Sequence, residues 1–331
     1  MSRCACFFFL FAGLLLLLPF RSPAPWYHVP GEGWYYEPFG ATNRWIRPHA
    51  KEQLAVAEQS FTNGDYIVAL HAARRVIREW QFSDYAPRAE FVIGQSLEAL
   101  HKNEAAFKAY QAIIQKYPNS ERFNDVLWKQ YGIADKFLNG EWGRLFGYIP
   151  FPATMEDTAK LFSTVVTNGP YSEVAPYAQL KIGEAHERQK SQEGYEAAVR
   201  AYQLAADRYY NRPQIAADAL YREGVAYQKQ AAKAEYDQGT AGKAIAAYTD
   251  FMTLYPEDPR VPEAQKAIGL LKAEQVAGNF KIAQFYERGH KWAGAVVYYN
   301  EVLQLDPNST YAESARQKIE QLKPRLPRAI D

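Results

Sequence analysis

The sequence predicts an all-α chain, a right-handed solenoid of about six helix pairs ending in a closing helix. Three observations lead there. A phrase seen most cleanly at Ala241–Ala264 (AGKAIAAYTDFMTLYPEDPRVPEA) sets Ala244, Tyr248 and Phe251 at helical spacing, stops at Tyr255-Pro256 and restarts after a Pro-flanked turn at Asp258, Pro259 and Pro262. The phrase returns at Ala105–Ser120 (AAFKAYQAIIQKYPNS) and at Ala293–Ser309 (AGAVVYYNEVLQLDPNS). A helix of that length cannot bury its apolar stripe alone, and the sequence supplies similar helices on both sides of it.

Composition sets the outer limits. Hydrophobic residues make up 48% of the 331 and charged residues 23%, the balance of a globular chain. Lys plus Arg number 38 against 37 Asp plus Glu, so the net charge of +1 gives no electrostatic reason to expect nucleic acid or an anionic membrane as the main partner. The 24 tyrosines suit helix–helix seams, which use such rings as large, partly polar spacers.

At the N-terminus, Arg3 and the two cysteines, Cys4 and Cys6, precede the apolar run Phe7–Phe20 (FFFLFAGLLLLLPF). Its length fits a secretory signal better than a membrane span of roughly 20 residues. Small residues at Ser22 and Ala24 place the expected cleavage after Ala24, with 1–24 as signal peptide and a retained anchor as the alternative. Cleavage would leave no cysteine in the mature chain. The expected destination is the periplasm. Residues 25–48 form an arm rich in Pro, Gly and aromatics, with turns around Gly31 and Gly33 between extended pieces. Two readings stand for it: rings packed on the first helices, or a binding arm whose Trp34, Tyr35 and Tyr36 add to the sheet edge of a partner.

From His49 the helical pattern begins and runs to Leu322, in halves 49–170 and 171–322, with 323–331 as a tail. Leu54, Ala57 and Phe61 make the first stripe, and Asn63-Gly64-Asp65 ends it. The next pair is the most regular: Gly94, Ala106, Tyr110 and Pro118 are spaced by 12, 4 and 8. That is the tetratricopeptide spacing, whose period is about 34 residues. Gly94 and Ala106 are small because two helices cross there, Tyr110 fills the seam, and Pro118 breaks the second helix.

The other pairs fall into this register. Ala57, Gly64, Ala69 and Ala73 form the first; Gly132, Thr158, Phe162 and Pro170 the third; Gly183, Ala198 and Tyr202 the fourth; Gly224, Ala244, Tyr248 and Pro256 the fifth; and Ala283, Ala295, Tyr299 and Pro307 the sixth. Insertions mark two of them. The third pair gains Gly140–Ala153 (GEWGRLFGYIPFPA), a Gly-, Pro- and aromatic-rich loop whose Trp142, Phe146, Tyr148 and Phe151 either pack under the array or meet a partner. The fifth gains residues around KQAAKAEYDQGTAG, which lengthen its first helix and turn. Residues 259–288 read as a long helix interrupted at Gly278, and Tyr311–Leu322 as a closing helix with a polar outer face.

Catalytic chemistry finds no foothold. The six histidines include no two at metal-ligand spacing on one helix. There is no phosphate-cradling glycine loop followed by Lys-Ser or Lys-Thr, and no Gly-x-Ser-x-Gly elbow. No enzyme, metal or cofactor is expected. The expected site is a peptide groove on the first helices of the pairs. In the tetratricopeptide register it comprises Lys51, Phe91, Gln95, Lys129, Lys136, Tyr177, Glu184, Arg188, Tyr221 and Gln228, rings for apolar contact and mixed charges for orientation.

The array over about 49–322 resembles the BamD-like (YfiO-like) outer-membrane assembly family. The resemblance rests on AEQSFTNGDYIVALHAARRVI near the start, the QKYPNS turn, and RVPEAQKAIGLLKAEQVAGNFKIAQFYERGHKWAGAVVYYNEVLQLDPNS followed by AESARQKIEQL. The GEGWYYEP arm is similar to that of verrucomicrobial-type members. The resemblance implies a periplasmic scaffold on the inner face of the outer membrane that binds the β-barrel insertase and unfolded outer-membrane proteins. The other reading is a different envelope adaptor, serving cell-division or peptidoglycan machinery. The chain departs from the family in lacking a lipid-accepting cysteine after the apolar run, so a tether would have to come from the arm, an uncleaved signal or the insertase.

Overall fold

The computed structural model describes residues 26–29, 33–36, 45–145, 149–152, 154–233 and 238–326. They contain thirteen α-helices: α1 Ala50–Thr62, α2 Tyr66–Glu79, α3 Ala86–Ala99, α4 Asn103–Lys116, α5 Phe123–Leu138, α6 Met155–Asn168, α7 Ala175–Glu187, α8 Gln192–Arg208, α9 Pro213–Lys233, α10 Gln238–Leu254, α11 Val261–Arg288, α12 Trp292–Leu305 and α13 Ala312–Leu322. Two short antiparallel hairpins accompany them: β1 (Trp26–Val29) with β2 (Gly33–Tyr36), and β3 (Trp142–Leu145) with β4 (Ile149–Pro152). The chain divides into two compact units, Met1–Val92 and Ile93–Asp331. The fold is all-helical and built of the expected pairs; within the units helices pack on their sequence neighbours, as α1 on α2 in the first and α7 on α8 in the second.

Two kinds of turn repeat. Inside five of the pairs, the first helix ends on one residue in the left-handed region: Gly64 (φ 84°), His101 (φ 55°), Gly140 (φ 91°), Lys190 (φ 54°) and His290 (φ 57°). The backbone N–H one residue later reaches back five positions at four of these ends: Asp65 to Ser60, Lys102 to Leu97, Glu141 to Lys136 and Lys291 to Tyr286, at 2.8–3.0 Å. This bond satisfies carbonyls that the helix end leaves orphaned. Between pairs, two successive three-residue turn bonds lead into the next helix, as in Ser120 to Tyr117 then Phe123 to Ser120, Asp258 to Tyr255 then Val261 to Asp258, and Ser309 to Asp306 then Ala312 to Ser309. Pro118, Pro256 and Pro307 sit in those turns, where their missing N–H costs nothing.

In three pairs the core is a tyrosine laid on a glycine, and in the sixth a tyrosine, Tyr299, is paired with Ala283. Tyr110, Tyr202 and Tyr299 are wholly buried and Tyr248 is 2% exposed. A Cβ on Gly94, Gly183 or Gly224 would stand 2.4, 2.3 or 2.7 Å from the ring of Tyr110, Tyr202 or Tyr248. The glycine is therefore set by the ring above it. The third pair departs from the expected register. A Cβ on Gly132 would meet nothing within 4 Å, whereas Ala134 is wholly buried. α5 is thus rotated by two residues, and Ala134 occupies the crossing. Gln130, wholly buried, holds this setting in an amide cluster: its Nε2 donates to Gln111 Oε1 at 2.8 Å, and Asn168 Nδ2 donates to Gln130 Oε1 at 3.0 Å.

Both insertions take definite form. α9 is lengthened to 21 residues, as the insertion suggested. Residues 142–152 contain the β3–β4 hairpin where an irregular loop was expected. Trp142 pairs with Pro152, Gly143 with Phe151, Arg144 with Pro150 and Leu145 with Ile149. α11 runs unbroken through Gly278 for 28 residues, so the expected interruption is absent. Its first half packs Ala264 and Leu271 against Ala244, Tyr248 and Phe251; its second half packs Val276, Phe280 and Ala283 against Ala295, Tyr299 and Val302. One helix closes the fifth pair and opens the sixth. At about 42 Å it is too long for one repeat to cover.

Two outcomes check this account. Gly183→Ala should cost about 1–3 kcal/mol by overpacking, and should cost little more once Tyr202 is Ala, since the two positions share one contact. Gly132→Ala, on a helix with space around it, should stabilise by up to about 1 kcal/mol. Thermal denaturation of the four variants measures both. His290→Gly, at a left-handed position that costs a side chain roughly 1 kcal/mol, should raise the melting temperature in the same assay.

Candidate functional site

The expected groove residues fall on the first helices, but their surroundings differ from an open charged groove. In the first unit Lys51 is exposed on α1, while Phe91 is only 5% exposed and belongs to the core, so it is removed from the groove. In the second unit Gln95 is half-buried on α3.

The remaining charges in the second unit are held in the molecule. Tyr110 Oη donates to Glu98 at 3.2 Å, and the same carboxylate takes Lys129 Nζ at 3.3 Å and Lys136 Nζ at 2.9 Å. The arrangement recurs: Tyr202 Oη donates to Glu187 at 2.9 Å and Lys229 joins it; Tyr299 Oη donates to Glu287 at 2.7 Å and Lys318 Nζ joins it at 2.7 Å. In each case the glutamate lies four residues after the glycine or alanine of the crossing, one turn along the first helix. In the fifth pair Gln228 takes the place of the glutamate and accepts from Tyr248 Oη at 2.9 Å.

A second line of charges crosses the same helices. Asp135 on α5 meets Lys181 on α7 at 3.3 Å; Lys181 meets Glu184 at 3.0 Å; Glu184 takes Arg188 at 2.6 Å and Arg222 of α9 at 3.8 Å; Arg222 meets Asp218 at 2.8 Å; and Asp218 takes Arg260, before α11, at 2.6 Å. Arg188 also donates to the Leu138 carbonyl at 2.6 Å. Arg260 lies 4.8 Å above the Tyr221 ring. Burial pushes the Tyr221 hydroxyl up to about 12, helped by its hydrogen bond to Glu263. Burial opposes the charges on Glu98 and Glu184, but the bound lysines, and Arg188 at Glu184, outweigh it and hold both carboxyls below the usual range.

What stays open is aromatic. Tyr177 is 45% exposed and Trp128 44%, with ring centres 6.1 Å apart on α7 and α5. Sequence reasoning named Tyr177 and missed Trp128. The signal was a tryptophan on a face where its neighbours are charged, obscured by the wrong register for α5. Of the arm residues, Tyr36, Tyr35 and Trp34 lie on β2 and pair with Trp26, Tyr27 and His28. Trp142 and Phe151 lie on β3 and β4, and Phe146 and Tyr148 fall outside the described residues. Among the described residues no group of three His, Cys, Asp or Glu could hold a metal, and no helix is long and apolar enough to cross a membrane.

The tetratricopeptide repeat family matches residues 88–120 and 278–309. No curated protein matches the chain. Among solved structures, the chain is similar to the C-terminal part of a TPR repeat-containing protein from Cytophaga hutchinsonii (16% identity, 81% of this chain and 87% of that one, TM-score 0.40). It is also similar to a TPR repeats protein from Bacteroides fragilis (14%, 85% and 100%, TM-score 0.40) and a tetratricopeptide repeat protein from Parabacteroides merdae (10%, 83% and 98%, TM-score 0.36). The chain contains tetratricopeptide repeats, and these mark it as a scaffold for protein–protein interaction.

The Glu98 rung carries a pH signature. Glu98 has a carboxyl pKa depressed in the folded state, so its contribution is present above the unfolded value of about 4.3 and is lost as pH falls through the folded value. Glu98→Gln should therefore cost about 1–2 kcal/mol at pH 7, discounted for its half-exposed lysines. Urea titrations of both proteins from pH 7 to pH 3 should show the gap closing at the acid end.

Proposed function

We propose that the chain is an exported scaffold of the outer-membrane β-barrel assembly machinery, held at the inner face of the outer membrane by its partners. In this reading it binds the barrel insertase and receives unfolded outer-membrane proteins. The observation that supports it most is the C-terminal stretch, where the resemblance is densest and where α11, α12 and α13 form one continuous packed block. The apolar run Phe7–Phe20 supports export, and the lack of a later cysteine leaves attachment to the arm, the run itself or the insertase.

Affinity purification of the tagged chain from cross-linked envelope membranes tests this reading. Recovery of a β-barrel insertase, together with loss of outer-membrane barrels on depletion, is the expected result. Recovery of cell-division or peptidoglycan enzymes without an insertase would replace it with the adaptor reading.

A further inference from the structure

We propose that the ring pair Trp128–Tyr177 is the docking point for a protein partner, and that it selects an uncharged segment presenting an aromatic or bulky aliphatic side chain. This deepens the scaffold reading and rests on it. Three observations carry the inference.

The rings are exposed yet held from below. Tyr131 meets Trp128 edge-on at 5.7 Å, and Tyr131 in turn meets the wholly buried Phe162 edge-on at 5.5 Å. A continuous line of rings thus runs from the core of the third pair to Trp128, and Tyr177 joins it from the fourth. Rings fixed in this way lose little freedom on binding, and tryptophan and tyrosine dominate interface energies for that reason.

The rings also leave no slot between them. Centre separations of 5.7 and 6.1 Å are those of aromatic groups in contact. A cation held between facing rings needs an open gap, so the pair, its rings tilted by 39° and in contact, is an apolar platform and not a cage for a quaternary ammonium or an alkylated lysine.

The ladder charges beside the rings are already matched. Lys129, next to Trp128, is paired with Glu98, and one turn beyond Tyr177 the line Asp135–Lys181–Glu184–Arg188 runs from α5 across α7 and ends on the Leu138 carbonyl. Glu98 and Glu184 are 19% and 18% exposed and each holds two cations within 3.3 Å. A partner carboxylate would have to displace one of these tethered, hydrogen-bonded carboxylates, and a partner ammonium would have to displace a tethered lysine or arginine. Charge on the partner therefore goes unrewarded here, and unpaired charge at a contact is penalised. An uncharged side chain gains the ring surface without that exchange.

The test uses the full chain and three synthetic peptides of equal length: one uncharged with a central tryptophan, one acidic and one basic, each titrated calorimetrically at low and high salt. The uncharged peptide should bind most tightly, with affinity unchanged by salt. Trp128→Ala and Tyr177→Ala should each weaken it about tenfold, Trp128→Phe should keep most of the affinity, and Tyr171→Ala, at a ring 96% exposed in the turn before α7, should change nothing. Circular dichroism melts confirm that each variant is folded. A preference for the acidic or basic peptide with a steep salt dependence overturns the proposal, as does an unchanged affinity in Trp128→Ala or no binding of the uncharged peptide. Concentration-dependent dimers abolished by Trp128→Ala would identify the occupant as a second copy and overturn it too. Capture of an insertase that survives both substitutions would sink this site while leaving the scaffold reading in place.

Discussion

The second unit depends on one contact: a buried tyrosine of the second helix lying on a glycine or alanine of the first. The ring fixes how closely two helices approach, because a side chain at the glycine would sit inside it. Its hydroxyl cannot be left unpaired at that depth, where a lost hydrogen bond costs about 1–3 kcal/mol. The first helix answers with a glutamate or glutamine one turn beyond the crossing, and at Glu98, Glu187 and Glu287 a lysine completes the set. Helix approach, hydrogen bonding and charge pairing are consequently one device repeated. The lysines come from an element further along the chain, so the device also ties each pair to its successor.

That coupling explains why the face of the first helices is less free than its charged residues suggest. Glu98, Lys129, Lys136, Glu184 and Arg188 read as recognition groups when taken singly. In the folded chain each is committed to another, and the line from Asp135 to Arg260 crosses three first helices without a gap. Individual exposed pairs of this kind are worth at most about 1 kcal/mol. Several sharing the two shielded carboxylates Glu98 and Glu184 hold more firmly, because removing one member strands the others. Recognition then falls to surface that the ladder does not use, which is why the rings stand out.

Most of the fold was legible because its determinants are local and periodic. Small residues at the crossings, tyrosines at the seams and prolines in the turns recur at fixed separation, and the helices follow. The misreadings share one cause: the positions involved look right in sequence and are settled by packing. Gly132 matches the spacing, but the amide cluster of Gln111, Gln130 and Asn168 sets α5 two residues further round. Gly278 resembles a break, but neighbours on both sides of α11 hold it helical. Phe91 occupies a groove position by register and is claimed by the core. Trp128 escaped notice because it became a surface ring only in the corrected register.

α11 shows how the same device can be bent to another use. In a regular array each first helix is followed at once by its own second helix. Here the helix that covers Tyr248 and Phe251 continues for about three more turns before it meets Tyr299. Gln228, the one uncharged member of the rungs, belongs to the pair at that junction, and no lysine rung is needed there because covalent helix replaces it. A rigid helix transmits position without the desolvation that buried ion pairs demand. The first helix of the last pair is therefore joined to the fifth pair by backbone hydrogen bonds, while α12 and α13 are held on it by packing and the Glu287–Lys318 pair, and the preceding pairs of the second unit are fixed to one another by side chains. A change of salt or pH acts on the side-chain joints, through Glu98 and Glu184, and leaves the helical joint as it is.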